Sequence, residues 1–275
     1  MIYGIVADMH GNLEALQATL RALDDRGVDR IVCLGDVVGY NAESNECADL
    51  LRTRRIDTIA GNHDLIAIRR LGLGRCADRP AFTLRRTRKD LTAASRAYLA
   101  TLPARLSIED DVVLVHGGVN DVQEYVTTTA QVRANSERLA REVPAATVCF
   151  FGHTHEPKAY ELHEGSVVER PATGRLTLRS AGYSYFINPG SVDGSRKPTP
   201  RFAEFVIFDA SARTVEFMTV PYNYESVEQS AMRRGYRMGP SDVTVYRARR
   251  VYVRIRNGVA RRIARIFPRL VRSPD

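Results

Sequence analysis

Short apolar runs alternate with amphipathic segments through the first 151 residues of the chain. The apolar runs have the length of buried strands and span Ile2 to Ala7, Arg30 to Leu34, Asp57 to Ala60, Asp111 to Val115 and Ala146 to Phe151. Between them, helical periodicity predicts helices over Leu13 to Leu23, Glu43 to Arg54 and Gln131 to Arg141. The section from Leu65 to Arg105 is predicted to be mostly helical, and Asp90 to Leu102 is its clearest helix. Strands that alternate with helices in this way indicate parallel βαβ units, and therefore an α/β fold.

The pattern changes in the last third of the chain, where short apolar stretches follow one another without helices. They predict strands over Ser166 to Val168, Leu176 to Leu178, Tyr183 to Ile187, Phe202 to Phe208 and Thr214 to Val220. Glycine, proline and asparagine separate these strands. We therefore expect a second sheet of antiparallel or mixed strands, with the last regular element fading near Tyr224.

The composition is typical of a globular protein with a sizeable core, since 44% of the 275 residues are hydrophobic. No run approaches the ~18 apolar residues that a membrane span needs, and the N-terminus lacks the pattern of a secretion signal. The four cysteines form no C-x-x-C pair. Free thiols fit a reducing compartment, so we expect a cytoplasmic protein.

The positive charge of the chain is concentrated at its C-terminal end. The net charge is +8, but ten arginines and no lysine, aspartate or glutamate lie between Val243 and Pro274. The rest of the chain therefore carries a charge of −2. We predict one main domain over residues 1–242 and a basic, Arg-rich extension over residues 243–275.

Apolar residues recur at helical spacing within this extension, with arginines between them, which predicts an amphipathic helix. One interpretation is a terminal helix that docks its apolar face on the main domain. A second is binding to an anionic membrane surface or a protein partner, which would place the protein peripherally at a membrane. A third is contact with the phosphates of a nucleic acid. The oligomeric state is left open.

Ligand-type side chains follow five of the predicted strands. They are Asp8, His10, Asp36, Asn62, His63, His116, His153 and His155, and they include five of the six histidines of the chain. Any one of them alone is typical of a turn, a helix cap or a satisfied polar residue. In open α/β sheets, however, ligands bind at the carboxyl ends of the strands, so these side chains are expected to converge.

The mixture of imidazole, carboxylate and amide oxygen suits Mn, Fe or Zn better than Ca or Mg. Seven candidate ligands among these eight side chains are too many for one tetrahedral ion and suit two ions that share a carboxylate. We therefore expect two divalent transition metal ions, with Mn²⁺ the ion expected in vitro and Fe²⁺/Fe³⁺ or Zn²⁺ as alternatives.

Five motifs in order, D-M-H, G-D-V-V-G-Y, G-N-H-D, V-H-G-G and G-H-T-H, resemble those of the calcineurin-like metallophosphoesterases. They extend from Asp8 to His155. The segment that starts at His10 (H-G-N-L-E-A-L) and the later N-P-G-S-V at Asn188 are similar to the compact bacterial and archaeal branch of that superfamily. The resemblance implies a four-layer α/β/β/α sandwich of two mixed sheets, with metals at the strand ends.

The resemblance also implies a role for each residue. One metal would be held by Asp8, His10 and His155, the second by Asn62, His116 and His153, and Asp36 would bridge the two. His63 would be the general acid, oriented by Asp64. One departure from the family pattern is Gly39, followed by Tyr40, where many members have a polar residue three positions after the bridging aspartate.

These roles imply a phosphoesterase that hydrolyses a phosphomonoester or phosphodiester by attack of a metal-bridging hydroxide. Alternatives within enzymes are a protein phosphatase and a dinucleoside polyphosphate hydrolase, and a further alternative is a non-catalytic metal-binding scaffold. Substrate specificity is expected in Leu65 to Arg105, Asn120 to Thr129 and Glu156 to Gly182. The Asn188 turn is as consistent with a plain turn as with a substrate loop. Arg196 and Lys197 could meet a phosphate, although a solvated loop is the favoured interpretation.

Overall fold

The structure is a computed structural model that describes residues 1–246 and 248. These residues divide into two units, one from Met1 to Tyr236 and one that begins at Arg237. The elements of the first unit are β1 (Ile2–Val6), α1 (Leu13–Asp25), β2 (Arg30–Cys33), α2 (Ser44–Thr53), β3 (Asp57–Thr58), α3 (Asn62–Ala67), α4 (Asp78–Asp90), α5 (Ala93–Thr101), β4 (Leu106–Glu109), β5 (Val112–Leu114), α6 (Thr129–Glu142), β6 (Val148–Phe150), β7 (Lys158–His163), β8 (Ser166–Arg170), β9 (Gly174–Thr177), β10 (Tyr183–Asn188), a 3₁₀ turn (Gly194–Arg196), β11 (Phe202–Asp209), β12 (Thr214–Pro221) and α7 (Tyr224–Arg233).

The strands form two six-stranded mixed sheets. The first has the order β3-β2-β1-β11-β12-β9, with β1, β2 and β3 parallel and the other pairs antiparallel. The second has the order β4-β5-β6-β10-β7-β8, with β5, β6 and β10 parallel. Each sheet therefore brings the carboxyl ends of three parallel strands to one edge, which is where the ligand-type residues were predicted.

Side chains that alternate along the strands build three apolar layers. Tyr3 and Ile5 of β1 lie in the core between the sheets, together with Val112 and Leu114 of β5. Val6 of β1 faces the other way, into a core that also contains leucines of α1, α2 and α5. On the second sheet, the outward-facing residues of β5 and β6 pack with residues of α6. This arrangement confirms the predicted α/β/β/α sandwich.

Most predicted elements are present, but the helix predicted from Asp90 to Leu102 begins later. Helix α4 ends at Asp90, Leu91 is extended, and α5 begins after Thr92. The Thr92 hydroxyl caps α5 by accepting a hydrogen bond from Ser95 N at 3.1 Å. A good N-cap residue inside an otherwise helical stretch therefore starts a new helix. Strands β4 and β7 and helix α7 were not predicted.

The second unit contains a helical stretch over residues 240–246, in which Thr244 Oγ1 donates a hydrogen bond to Pro240 O. Most of the predicted extension, residues 243–275, lies outside the described residues. Its amphipathic helix, its membrane, protein and nucleic-acid contacts and the predicted boundary after residue 242 therefore stay predictions. None of the helices in the described part of the chain is long and apolar enough to cross a membrane.

Candidate metal centre

The predicted site residues all lie at the carboxyl ends of parallel strands. Asp8 and His10 follow β1, Asp36 follows β2, and Asn62 and His63 follow β3 at the start of α3. His116 follows β5, and His153 and His155 follow β6. All eight side chains are at least 95% buried. The two sheets thus bring together polar residues that are up to 147 positions apart in the chain.

Asp8, His10 and His155 form the first group of candidate metal ligands, with one ligand atom of each within 4.8 Å of the others. Asp8 Oδ1 lies 3.5 Å from His155 Nε2 and 3.8 Å from His10 Nε2. The two Nε2 atoms lie 2.9 Å apart. One cation could therefore be reached by one oxygen and two nitrogens.

Asp36, His116 and His153 form the second group by the same criterion. The Asn62 side-chain oxygen joins it, 3.1 Å from His116 Nε2. Asp36 Oδ2 lies 3.4 Å from His116 Nε2 and 3.7 Å from His10 Nε2 of the first group. Asp36 is therefore placed between the two groups.

Backbone carbonyls orient two of the imidazoles. His116 Nδ1 lies 2.7 Å from Leu34 O, and His10 Nδ1 lies 3.2 Å from Val38 O. A carbonyl only accepts hydrogen bonds, so each Nδ1 carries a proton and the Nε2 of each ring faces the cluster. Metal-binding histidines are usually held in this way.

The backbone at the cluster is strained. Asp8, His10, Asp36, His153 and His155 all have positive φ, between 48° and 68°. For residues other than glycine, this conformation costs on the order of 1–3 kcal/mol and persists only where the surroundings enforce it. Such strain is typical of a functional site.

Several buried atoms of the cluster have no hydrogen-bond partner, namely Asp8 Oδ1, His63 Nδ1, His153 Nε2 and His155 Nδ1. Buried polar atoms nearly always have partners in folded proteins. Three of these four atoms belong to predicted metal ligands. The nitrogen and oxygen donors, their separations and their lack of protein partners all fit transition metal cations.

The electrostatic environment keeps four of the six titratable ligands in the form that metals bind. Burial raises the pKa of Asp8 to about 7, and Asp36 outweighs burial and raises the pKa of His116 to about 9. Burial lowers the pKa of His153 to about 3 and the pKa values of His10 and His155 well below the ordinary value. Burial alone would raise the pKa of Asp36, but His116 holds it well below the usual carboxyl range. The imidazoles of His10, His153 and His155 are therefore neutral and Asp36 is ionised at neutral pH.

His63 lies beside the candidate ligands, but Asp64 does not accept the hydrogen bond from His63 that an orienting role would require. The His63 ring lies against the His10 ring, with centroids 4.5 Å apart, and its backbone N–H donates to Asp36 Oδ1 at 2.7 Å. The Asp64 carboxylate accepts hydrogen bonds from the backbone N–H groups of Asp36, Val38 and Gly61. None comes from His63, so Asp64 fixes the Asp36 loop and does not make the predicted orienting contact.

The structure also gives a reason for Gly39. A Cβ atom at this position would lie 2.3 Å from His63 Nδ1 and 3.0 Å from His10 Nδ1, and Gly39 has a φ of 143°. A larger residue would therefore displace both imidazoles. Tyr40 instead packs its ring against His10, at a centroid distance of 4.6 Å.

The segment from Asn188 to Asp193 braces the cluster and was not predicted to do so. The Asn188 amide donates to Gly152 O at 2.8 Å and to Thr154 Oγ1 at 3.0 Å, between which His153 lies. Ser191 Oγ and the Asp193 backbone N–H both donate to Asp8 O. Asn188 ends a strand that is parallel to β6, so it lies at the same edge of the sheet as His153 and His155.

A cavity of about 440 Å³ opens over the cluster. Its lining residues are Asp36, Tyr40, Asn62, His63, Arg75, Cys76, Ala77, Pro80, Gln123, Tyr125, His153, His155 and Arg196. The walls thus come from two of the three segments in which specificity was expected, around residues 75–80 and 123–125. The stretch from Glu156 to Gly182 contributes none of these residues. Arg196, in contrast, reaches the cavity, while Lys197 pairs with Glu204 at 2.6 Å.

Comparisons with known proteins agree with this geometry. Residues 1–213 match the family described as the calcineurin-like phosphoesterase superfamily domain. The crystal structure of a metallophosphoesterase from Sphaerobacter thermophilus is 33% identical, covers 90% of this chain and 98% of its own, and superposes with a TM-score of 0.69.

Two archaeal proteins are more distant. A hypothetical protein of Pyrococcus horikoshii OT3 is 18% identical, covers 89% of this chain and 97% of its own, and shares the fold with a TM-score of 0.68. An uncharacterised protein of Methanocaldococcus jannaschii is 28% identical over 236 residues, which is 83% of this chain and 91% of the relative.

Proposed function

This chain belongs to the calcineurin-like phosphoesterase superfamily, and we propose that it is a dinuclear metal-dependent hydrolase of phosphate esters. The observation that carries the proposal is the position of Asp36. Its Oδ2 atom lies between two buried ligand groups, within 3.7 Å of an imidazole nitrogen in each. This is the arrangement that two cations sharing one carboxylate require.

Asp8, His10 and His155 would hold one cation, and Asn62, His116 and His153 the other, with Asp36 between them. When bound, such a pair of ions lowers the pKa of water to near neutrality and offsets the charge of a phosphoryl group. Mn²⁺ is the ion that we expect to support activity in vitro, with Fe²⁺/Fe³⁺ or Zn²⁺ as the other candidates.

His63 is the group that we assign to protonation of the leaving oxygen. It lines the cavity beside Asp36, and its Nδ1 atom has no partner in the protein. Burial lowers the pKa of His63, so the free protein holds a neutral imidazole. A dianionic phosphoryl group nearby would favour the protonated form, because opposite charges attract, and would thus prepare the proton for transfer.

The test is turnover of p-nitrophenyl phosphate and of bis(p-nitrophenyl) phosphate by the full-length protein with added Mn²⁺. We expect hydrolysis of at least one ester, its loss on chelation, and a strong reduction in the His63→Ala variant. Protein that binds two equivalents of Mn²⁺ and hydrolyses neither ester would instead favour the metal-binding scaffold. Protein that takes up no transition metal would contradict the proposal altogether.

The natural substrate is then sought among phosphorylated metabolites, nucleotides and phosphopeptides, since a protein phosphatase and a dinucleoside polyphosphate hydrolase share the same metal ligands. The cavity walls around residues 75–80 and 123–125 are where these substrates would differ in their contacts. A screen with Mn²⁺, Zn²⁺ and Fe²⁺ in parallel identifies both the substrate class and the active metal.

A further inference from the structure

Arg196 projects into the cavity above the candidate metal centre from a loop whose backbone is buried. It ends the 3₁₀ turn Gly194–Arg196, and the residues from Ser191 to Ser195 are all buried. The side chain itself is exposed and lines the cavity. A solvated loop was the favoured interpretation of Arg196 and Lys197, but Arg196 lines the cavity and Lys197 is only partly exposed.

The loop that carries Arg196 is joined to the candidate metal centre by hydrogen bonds. The Asp193 backbone N–H donates to Asp8 O at 3.0 Å, and the Asp193 carboxylate accepts from Asn12 Nδ2 at 2.9 Å. The same carboxylate accepts from Ser195 N, which closes the turn before Arg196. A Cβ atom on Gly194 would lie 2.9 Å from Phe202 O, so this backbone has little room to move. Arg196 is therefore presented from a fixed platform.

The other cations near the cavity are already engaged. Arg75 donates to Asp121 at 2.7 Å and to Gln123 O at 3.0 Å, and Lys197 pairs with Glu204. The Arg79 guanidinium lies over the Tyr40 ring, 5.4 Å from its centroid. Within the described residues, Arg196 makes neither a hydrogen bond nor an ion pair. Of the two arginines that line the cavity, Arg196 is thus the one whose hydrogen-bonding capacity is left for a ligand.

We propose that Arg196 binds a non-bridging oxygen of the substrate phosphoryl group and thereby makes the site selective for phosphomonoesters over phosphodiesters. The inference rests on the proposed function. A monoester has three non-bridging oxygens and a diester has two. With one oxygen directed to each ligand group, a monoester has a third oxygen for Arg196, whereas a diester has none. A guanidinium also prefers the dianionic monoester because its charge is larger.

The experiment compares wild type, Arg196→Gln, Arg196→Lys and the matched control Lys197→Gln, all as full-length protein with saturating Mn²⁺. We expect Arg196→Gln to lose about 10- to 100-fold in kcat/KM on p-nitrophenyl phosphate, as for a charged hydrogen bond. On bis(p-nitrophenyl) phosphate the loss should stay below about fivefold, the range of an exposed charge. Arg196→Lys should lie between Gln and wild type, and Lys197→Gln should resemble wild type on both esters.

A second measurement does not depend on turnover. Calorimetric binding of inorganic phosphate to the Mn²⁺-loaded proteins should weaken at least about tenfold in Arg196→Gln and remain unchanged in Lys197→Gln. Equal losses on the two esters, or unchanged phosphate affinity in Arg196→Gln, would overturn the role of Arg196. A wild type that hydrolyses neither ester would instead count against the proposed function, and phosphate binding would still decide the role of Arg196.

Discussion

The two ends of the parallel strands differ in whether their polar groups have hydrogen-bond partners within the protein. At the amino end, the Tyr3 hydroxyl lies 2.9 Å from Ile108 O and 2.7 Å from Glu109 Oε1. Arg213 at the same end donates to Asp111 at 2.8 Å and to Thr147 Oγ1 at 2.9 Å. At the carboxyl end, Asp8, His63, His153 and His155 each have a buried atom without a partner. The polar groups of Tyr3 and Arg213 have partners within the protein, whereas the carboxyl end leaves buried atoms that a ligand could satisfy.

Positive φ angles occur at both ends but are concentrated at the carboxyl end. Five of the seven candidate ligands adopt them, and Arg213 at the amino end has a φ of 54°. The loops that hold the ligands are tied to one another by hydrogen bonds such as His153 N to Asp8 Oδ2 at 2.9 Å. Strain and missing partners thus coincide where the chemistry is proposed. Substitutions at this end should therefore affect metal binding and turnover, whereas substitutions at the amino end should affect stability alone.

Replacing Asp36 should have the largest effect. In Asp36→Asn the residue between the two ligand groups loses its charge. We therefore expect both metal affinity and kcat/KM to fall by more than about 100-fold, which exceeds the loss of about 10- to 100-fold that is typical of a residue that only hydrogen-bonds to a metal ligand. Asp111→Asn at the amino end is the matched control and should lose stability but no metal. Metal content by elemental analysis and ester turnover are the measurements. Equal metal content in both variants would contradict the contrast between the two ends.

Replacing His63 should separate proton transfer from metal binding. His63→Gln should retain its metal but lose about 10²- to 10⁴-fold in kcat, the contribution of a general acid. The loss should be larger for an alkyl phosphate than for p-nitrophenyl phosphate, because a poor leaving group depends more on protonation. An equal loss on both substrates would show that His63 acts in some other way.

Asn188→Ala tests the segment that braces the cluster. Without its bonds to Gly152 O and Thr154 Oγ1, the loop carrying His153 should loosen, and metal affinity should fall about 10- to 100-fold. Saturating Mn²⁺ should largely restore turnover. Ser95→Ala is the control, since Ser95 is 1% exposed and its hydroxyl accepts from Thr92 Oγ1 at 2.9 Å, away from the ligands. A loss of metal affinity as large in Ser95→Ala would point to general destabilisation.

This bracing role illustrates what the sequence does not reveal. The candidate ligands were recognisable because strand periodicity places each of them directly after an apolar run, and five such runs repeat the layout. The role of Asn188 to Asp193 depends on contacts with residues more than 180 positions away, such as that of Ser191 Oγ with Asp8 O. No local pattern distinguishes such a brace from an ordinary turn.

Strand β7 was missed for a different reason. Its sequence, K-A-Y-E-L-H, places Glu161 in the middle of a strand, where a charge is unexpected. Glu161 is only 6% exposed and is satisfied by Arg170 and by the Tyr185 hydroxyl at 2.9 Å, both on neighbouring strands. Burial opposes ionisation, but these hydrogen bonds keep the pKa of Glu161 below its ordinary value. The polar partners that permit this strand are contributed by the tertiary fold.

The smallest effect is expected at the amino end, in Tyr3→Phe. This variant loses hydrogen bonds but no metal ligand, so it should keep full metal content and turnover while its free energy of unfolding at pH 8 falls by about 1–2 kcal/mol. Urea unfolding measures this difference.

The pH dependence of this stability difference gives a sharper test of the hydrogen bonds of Tyr3. Burial, together with Glu109, raises the pKa of Tyr3 from its ordinary value of 10.0 to about 12. A raised pKa means that the unfolded chain loses the Tyr3 proton before the folded protein does. The stabilisation is therefore fully present below pH 10.0 and is lost as the pH rises towards about 12. The stability difference between wild type and Tyr3→Phe should shrink over this interval, and a difference that grows would show that Tyr3 ionises more readily in the folded protein.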